Sequence, residues 1–256
     1  MKQSVYDLTQ QHRSIRNFKD EPLSDEPLSD ETVKQLVEAG QMASTSSYVQ
    51  AYSIIGIRDP EIKKALKEVS GQQHVIDNGY LFVFVIDYYR HSLINEEAEE
   101  NMQDSFESAE GLLVGTIDVA LAAENVALTA EDMGYGIVFL GSLRNNVARV
   151  SEILDLPEHV FPLFGMAVGV PSEDDQGSPK QRLPFEHVFH ENKYNADKVQ
   201  QLNQIKDYDK DIQTYYEQRT NGQRSESWSQ QIAKMMSKKS RPDILERLNQ
   251  KGFIKK

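Results

Sequence analysis

Residues 12–16, His-Arg-Ser-Ile-Arg, place an imidazole, two guanidinium groups and a hydroxyl within five positions, directly after a short helical pattern at 4–11. His12, Arg13, Ser14 and Arg16 make a fork of donors suited to phosphate oxygens, because a guanidinium offers paired N–H groups to an anion. The same residues also suit a basic last turn that complements a helix dipole and pairs with surface acids. ASTSSYVQ, residues 43–50, follows a helix ending near Met42. Its Ser44, Thr45, Ser46 and Ser47 can donate to a ligand's carbonyls or hydroxyls, or can serve simply as turn residues. FLGSLRNN at 139–146 reads as strand, glycine turn and helix start, where Gly141 would let a backbone N–H approach a flat ring or an anion. In PKQRLP, 179–184, Lys180 and Arg182 lie two apart in a proline-bounded loop, so an extended backbone points both to one side. A solvated basic loop has the same composition.

Other chemistries lack their residues. The 256-residue chain has no cysteine, which excludes disulfides, thiolate nucleophiles and cysteine-ligated metals. Its six histidines have no metal-binding spacing, and the G-x-S-x-G, phosphate-loop and G-x-G-x-x-G patterns do not occur. Asp118 and Glu124, inside an apolar helix, read as hydrogen-bonded core or interface acids. A net charge of −12 argues against a nucleic-acid surface but allows an anionic small ligand where basic residues gather. No signal-peptide pattern opens the chain, and uninterrupted runs such as LFVFVI fall short of a membrane span. The expectation is a cytoplasmic protein with neither nucleic acid nor membrane as partner.

The elements that must position these residues follow from periodicity. Strands are expected at 52–57 (YSIIGI), 80–87 (YLFVFVID, apolar on both faces, as in a covered sheet), IVFLG and VFPLFGMAVGV. Helices are expected at 4–11, after Ser29 as N-cap, at 61–69, at 105 to about 133 as a core or subunit-interface helix, and at 145–154. The tail beyond 190 is polar and fits two helices, 196–219 and 228–250, with thin apolar stripes that must cover a neighbouring surface. A tandem DEPLS DEPLS at 20–29 looks like extra surface loop. The order indicates an α+β fold.

Taken together, HRSIRNF, ASTSSYVQAYSIIGI, GQQHV, EDMGYGIVFLGSLRNN, LPEHVFPLFGMAVGVP, PKQRLP and YYEQRTNGQR–SWS resemble the NADPH-dependent, FMN-containing nitroreductase and flavin reductase family, near its oxygen-insensitive major branch. The resemblance spans almost the whole chain; the DEPLS duplication and the acidic stretch NEEAEENMQDSFES depart from it. It implies a central, mostly antiparallel sheet flanked by long helices, in an intertwined homodimer with FMN at the interface. Residues 1–190 would be the FMN-binding core and 191–256 a helical extension packing on the dimer. His12, Arg13, Ser14 and Arg16 would hold the FMN phosphate, joined by Lys180 and Arg182. Thr45, Ser46, Ser47 and Gln72 would line the ring and ribityl chain, and Phe139, Leu140, Gly141 and Ser142 would run along the ring. Arg219 and Arg224 would favour the 2′-phosphate of NADPH. The implied activity is two-electron, ping-pong hydride transfer to nitroaromatics, quinones or flavins. A dedicated NADPH:FMN reductase and a non-catalytic flavin-binding sensor are the alternatives.

Overall fold

Strand β2 (Tyr80–Asp87) is buried along its whole length, so both its faces must be covered. In the computed structural model, which describes residues 4–19, 28–173 and 177–255, they are. Among the described residues, β1 (Tyr52–Ile57), β2, β3 (Gly136–Leu140) and β4 (Val160–Gly169) form one antiparallel sheet in the order β1-β2-β4-β3. Alternation divides β2 between two cores. Phe82, Phe84 and Ile86 pack with Val119, Ala122, Ala123 and Val126, whereas Leu81, Val83 and Val85 pack with Leu66, Leu143 and Val150. Helices α2 (Asp30–Gln41) and α6 (Ala109–Asp132) therefore cover one face, and α3 (Pro60–Ser70) and α7 (Val147–Ile153) the other. Each fully buried Phe or Leu contributes about 1.5–3 kcal/mol.

The expected α1 (Val5–Gln11) and all four strands form. Ser29 caps α2, its hydroxyl accepting from Thr32 N at 3.1 Å, and Leu28 before it is buried. The first DEPLS copy lies outside the described residues. Four helical expectations change. Tyr89–Glu97 forms α4, which the sequence hid because its apolar residues do not collect on one side. The helix expected at 105–133 is two, α5 (Gln103–Phe106) and α6, because the Ser108 hydroxyl caps a fresh start by accepting from Gly111 N. The helix expected from 145 begins as a tight 3-10 segment, Gly141–Asn146, before α7. By length and composition α6 would suffice to cross a membrane, which uninterrupted apolar runs did not reveal. Its inner face is nonetheless core, with Val119, Ala122, Val126 and Ala130 fully buried.

The chain packs as two compact units, Met1–Pro179 with Asp243–Lys256, and Lys180–Pro242. The second unit begins at Lys180. Leu183 packs on Tyr208, Ile212 and Tyr216, and the Tyr208 hydroxyl donates to Gln181 O, which ties the PKQRLP loop to the second unit. That unit holds α8 (Phe185–Val188), α9 (Lys198–Arg219) and α10 (Trp228–Met236). The expected 228–250 helix breaks before Pro242, and its remainder, α11 (Ile244–Gln250), sends Leu248 into the main core of the first unit, joined there by Phe253.

Residues 12–19 run beside β3 and the end of β4. Ser14 pairs with Ile137, Ile15 N donates to Ile137 O at 2.9 Å, and Lys19 N donates to Val170 O at 2.9 Å. Ile15 is buried against Gly136, where an added Cβ would lie 2.6 Å from Ile15 Cγ1. Gly136→Ala is therefore expected to cost about 1–3 kcal/mol through overpacking. Denaturant unfolding checks this, and an unchanged midpoint would mean that the segment shifts freely.

Candidate functional site

Docking of Ile15 leaves Ser14 and Arg16 exposed on either side of it, as alternation requires. Arg16 makes no hydrogen bond or ion pair among the described residues. His12, at the C-cap of α1, is half-buried, and its Nδ1 lies 2.8 Å from Glu131 Oε1 in the last turn of α6. Arg13 donates to Gln11 O at 3.3 Å.

A second group lies within electrostatic reach of Arg16. His74 sits in the 3-10 segment Gln73–Val75; burial, and then the Arg16 charge, hold its pKa below the ordinary value, and its buried Nε2 has no partner. Two residues earlier, Gln72 Oε1 accepts from the Ser142 hydroxyl at 2.8 Å, and Ser142 in turn lies 2.6 Å from Ser70 Oγ. The hydroxyl chain fixes which way the amide faces, with its nitrogen presented outward as a donor. Gln72, Ser142 and Ser70 are thereby gathered into one hydrogen-bonded group. Ser70 was missed because a serine at a helix end carries no signal of its own. Phe139, on β3, keeps an exposed ring edge-on to Phe164, whereas Leu140 is fully buried and can offer a ligand only its main chain.

The serine loop is held elsewhere on α6. Asp118, fully buried, accepts from Ser46 N at 2.9 Å and Ala51 N at 3.0 Å, which makes it the hydrogen-bonded core acid the sequence suggested. Glu124 is exposed. Between those anchors Ser47, Tyr48 and Gln50 all have φ near +50 to +60°, a conformation costing about 1–3 kcal/mol per non-glycine residue. Helix α4 supplies the restraint: His91 Nε2 donates to Val49 O at 2.9 Å and Arg90 Nη2 to Tyr52 O at 2.8 Å. Thr45, half-buried, and Ser46 and Ser47, exposed, are thus displayed by a loop the structure over-determines. A cleft of about 700 Å³ opens beside them, lined by Val37, Gln41, Tyr48, Tyr52, Ile54 and His91.

The remaining basic residues belong to the second unit. Lys180 and Arg182 border a groove of about 730 Å³ walled by Tyr208, Tyr215, Tyr216 and Trp228. Burial, ahead of any charge, raises the Tyr208 pKa, so its hydroxyl stays a neutral donor. Arg219, exposed, donates to the Tyr215 hydroxyl at 2.6 Å. Arg224 stacks 3.9 Å over Tyr216 and pairs with Glu226 at 3.3 Å.

The chain belongs to the nitroreductase family. The nitroreductase family pattern matches residues 9–170, and the nitroreductase family C-terminal domain matches 180–256. A protein of Staphylococcus saprophyticus named NADPH-dependent oxidoreductase is 66% identical with both chains fully covered, and one of Staphylococcus haemolyticus is 67% identical over the same extent. Among solved structures, NfrA1 of B. megaterium matches with a TM-score of 0.94 at 44% identity, covering 99% of this chain and all of that one. The NADPH:FMN oxidoreductase from Vibrio harveyi, solved with NAD+, matches with 0.85 at 37%, covering 98% and 99%. The protein is an oxidoreductase of this family and fold.

His74 generates a pH prediction. Its folded-state pKa lies below the ordinary 6.5, so the unfolded chain takes up its proton first as pH falls. The associated stability is complete above 6.5 and is lost as pH falls through the folded value. Chemical denaturation of His74→Gln across that window is expected to give a flatter pH dependence than the parent; identical slopes would exclude His74 as the titrating group.

Proposed function

We propose that this oxidoreductase is an FMN flavoprotein that takes electrons from NADPH in pairs and passes them to nitroaromatics, quinones or flavins, working as a homodimer. The observation that carries the reading is Arg16, which is exposed and makes no ion pair among the described residues of a chain with 40 acidic and 28 basic residues. With so many carboxylates available, a fixed guanidinium left beside an exposed Ser14 suits an anion from outside the fold. The donors that the chain displays suit FMN: charged donors on residues 12–16, an oriented amide at Gln72, hydroxyls at 45–47 and an exposed ring at Phe139. The names of the relatives support NADPH as donor and a flavin as participant.

Bound FMN would supply reversible two-electron hydride chemistry, letting donor and acceptor use one place in turn, a ping-pong order. The chain's own part is placement. Residues 12–16 hold the anionic end, Gln72 Nε2 donates to the polar edge, and the clamped serine loop keeps its hydroxyls in one geometry without a reorganisation cost at the moment of reaction. The family resemblance also gives Lys180 and Arg182 to the phosphate. Arg219, exposed beside Tyr215, reads the 2′-phosphate of NADPH. Arg224 assists less directly, since Tyr216 and Glu226 already engage its guanidinium.

The homodimer rests on α6. Leu113, Ile117 and Leu121 form an exposed apolar stripe at i, i+4 spacing on its outer side. Residues 118 and 131, which anchor the serine loop and His12, stand about 20 Å apart along the helix. The name of the Vibrio protein also supports a narrower reading, reduction of free FMN. Comparing turnover on free FMN with turnover on a nitrofuran or quinone separates the two.

Purified protein is expected to show flavin absorption bands that bleach on addition of NADPH without oxygen. Arg16→Ala is expected to weaken FMN retention by about 1.5–3 kcal/mol, the scale of a charge-assisted hydrogen bond; a variant as yellow as the parent would remove Arg16 from this role. Arg219→Ala should raise KM for NADPH and leave KM for NADH unchanged, and equal rises would refute the 2′-phosphate assignment.

A further inference from the structure

Glu131 is an odd residue to find where it stands. Its side chain is 12% exposed, Oε1 meets His12 Nδ1 at 2.8 Å, and Oε2 is buried with no partner among the described residues. A carboxylate so placed is costly unless a charge balances it. It also lies in the last turn of α6, the negative end of the helix dipole, beside Asp132 and with no basic residue in that turn. Nothing in α6 compensates any of this. The compensation comes from α1, which packs on α6 and presents His12 at its own C-cap, again a site that favours a cation. Two helix C-termini and one carboxylate thus converge on a single imidazole.

We propose that Glu131 is a positioning residue for the phosphate end of the cofactor, holding the His12 ring in one orientation and balancing its charge so that the ring serves as a cationic partner of the phosphate. A carboxylate that accepts from one ring nitrogen sets how the other can act, as it does for histidines bound to metals. Nδ1 donates to the carboxylate oxygen Oε1, which fixes the ring's orientation and favours a proton on it. The orphaned Oε2 is the cost of this arrangement. An ordinary core would have an apolar residue here, and a purely structural acid would be satisfied on both oxygens, as Asp118 is on the same helix. The inference rests on the FMN reading given above.

The test compares FMN with riboflavin, which lacks the phosphate. Full-length protein stripped of flavin is titrated with each by flavin fluorescence, in the parent, E131Q, E131D, H12Q and the double variant E131Q/H12Q. E131Q is expected to weaken FMN about tenfold and to leave riboflavin within about twofold, since only a phosphate contact is affected. E131D, which keeps the charge, should recover part of the loss. In the H12Q background E131Q should cost FMN nothing further, because the effect travels through His12. Equal weakening of FMN and riboflavin would overturn the proposal in favour of a role in folding, as would a full loss that persists without His12, or no loss in E131Q. A parent protein that does not prefer FMN to riboflavin would overturn the FMN-phosphate reading itself, and the wild-type titration alone reveals that outcome.

Discussion

Everything in the first unit depends on the packing of helix α6 across one face of the sheet. The helix approaches closely: at Gly115 an added Cβ would lie 2.5 Å from Ile86 Cγ2. A run of small and branched residues, Val119, Ala122, Ala123, Val126 and Ala127, continues the contact along β2. Burial of that face fixes the helix as a rigid rail. Because the rail is rigid, polar groups set into it become fixed points for loops that have no regular structure of their own.

Two such points matter. Asp118 takes two backbone N–H groups from opposite ends of the serine loop, so the left-handed backbone at Ser47, Tyr48 and Gln50 is maintained by bonds that cannot be made in another arrangement. Glu131, near the other end, meets the first basic residue of the 12–16 segment. The segment itself is held by backbone bonding to β3 and by burial of Ile15, and Arg16 makes no ion pair among the described residues. In the function proposed, affinity for an anion and stability of the fold fall to different side chains of one short stretch. The phenols near Asp118 stay neutral by the same low-dielectric logic. Burial, then Asp118 and Glu110, push the Tyr88 pKa up to about 12, and its hydroxyl donates to Gly111 O.

The second unit is built differently, around a small aromatic cluster instead of a sheet. Tyr208, Ile212 and Tyr216 of α9 meet Leu183 and Trp228, and Asp209 accepts from the backbone and hydroxyl of Ser229 to fix the start of α10. Its thin core suits an element that presents charged side chains over aromatic faces, where a guanidinium loses little hydration.

The sequence by itself determined the strands, because a buried strand must be apolar on both sides and YLFVFVID can satisfy no other position. It also determined the basic segment at 12–16, since charges that dense are legible without coordinates, and the family resemblance that the comparisons bear out. It left open whether those charges face a ligand or surface acids, because ion pairing is a matter of distance between residues far apart in the chain. Tertiary structure divides them: His12 pairs with the acid Glu131, whereas Arg16 makes no salt bridge among the described residues and sets its charge within electrostatic reach of His74. It likewise decided the roles of Glu131, Ser70, His91 and Arg90, residues with no distinctive spacing whose function comes only from what lies opposite them. The breaks in the long helices were also tertiary matters: Phe106 and Leu248 each turn into the core, and one continuous helix could not have delivered them. Local patterns record what a segment buries, whereas chemistry arises where segments meet, and that meeting is set by packing.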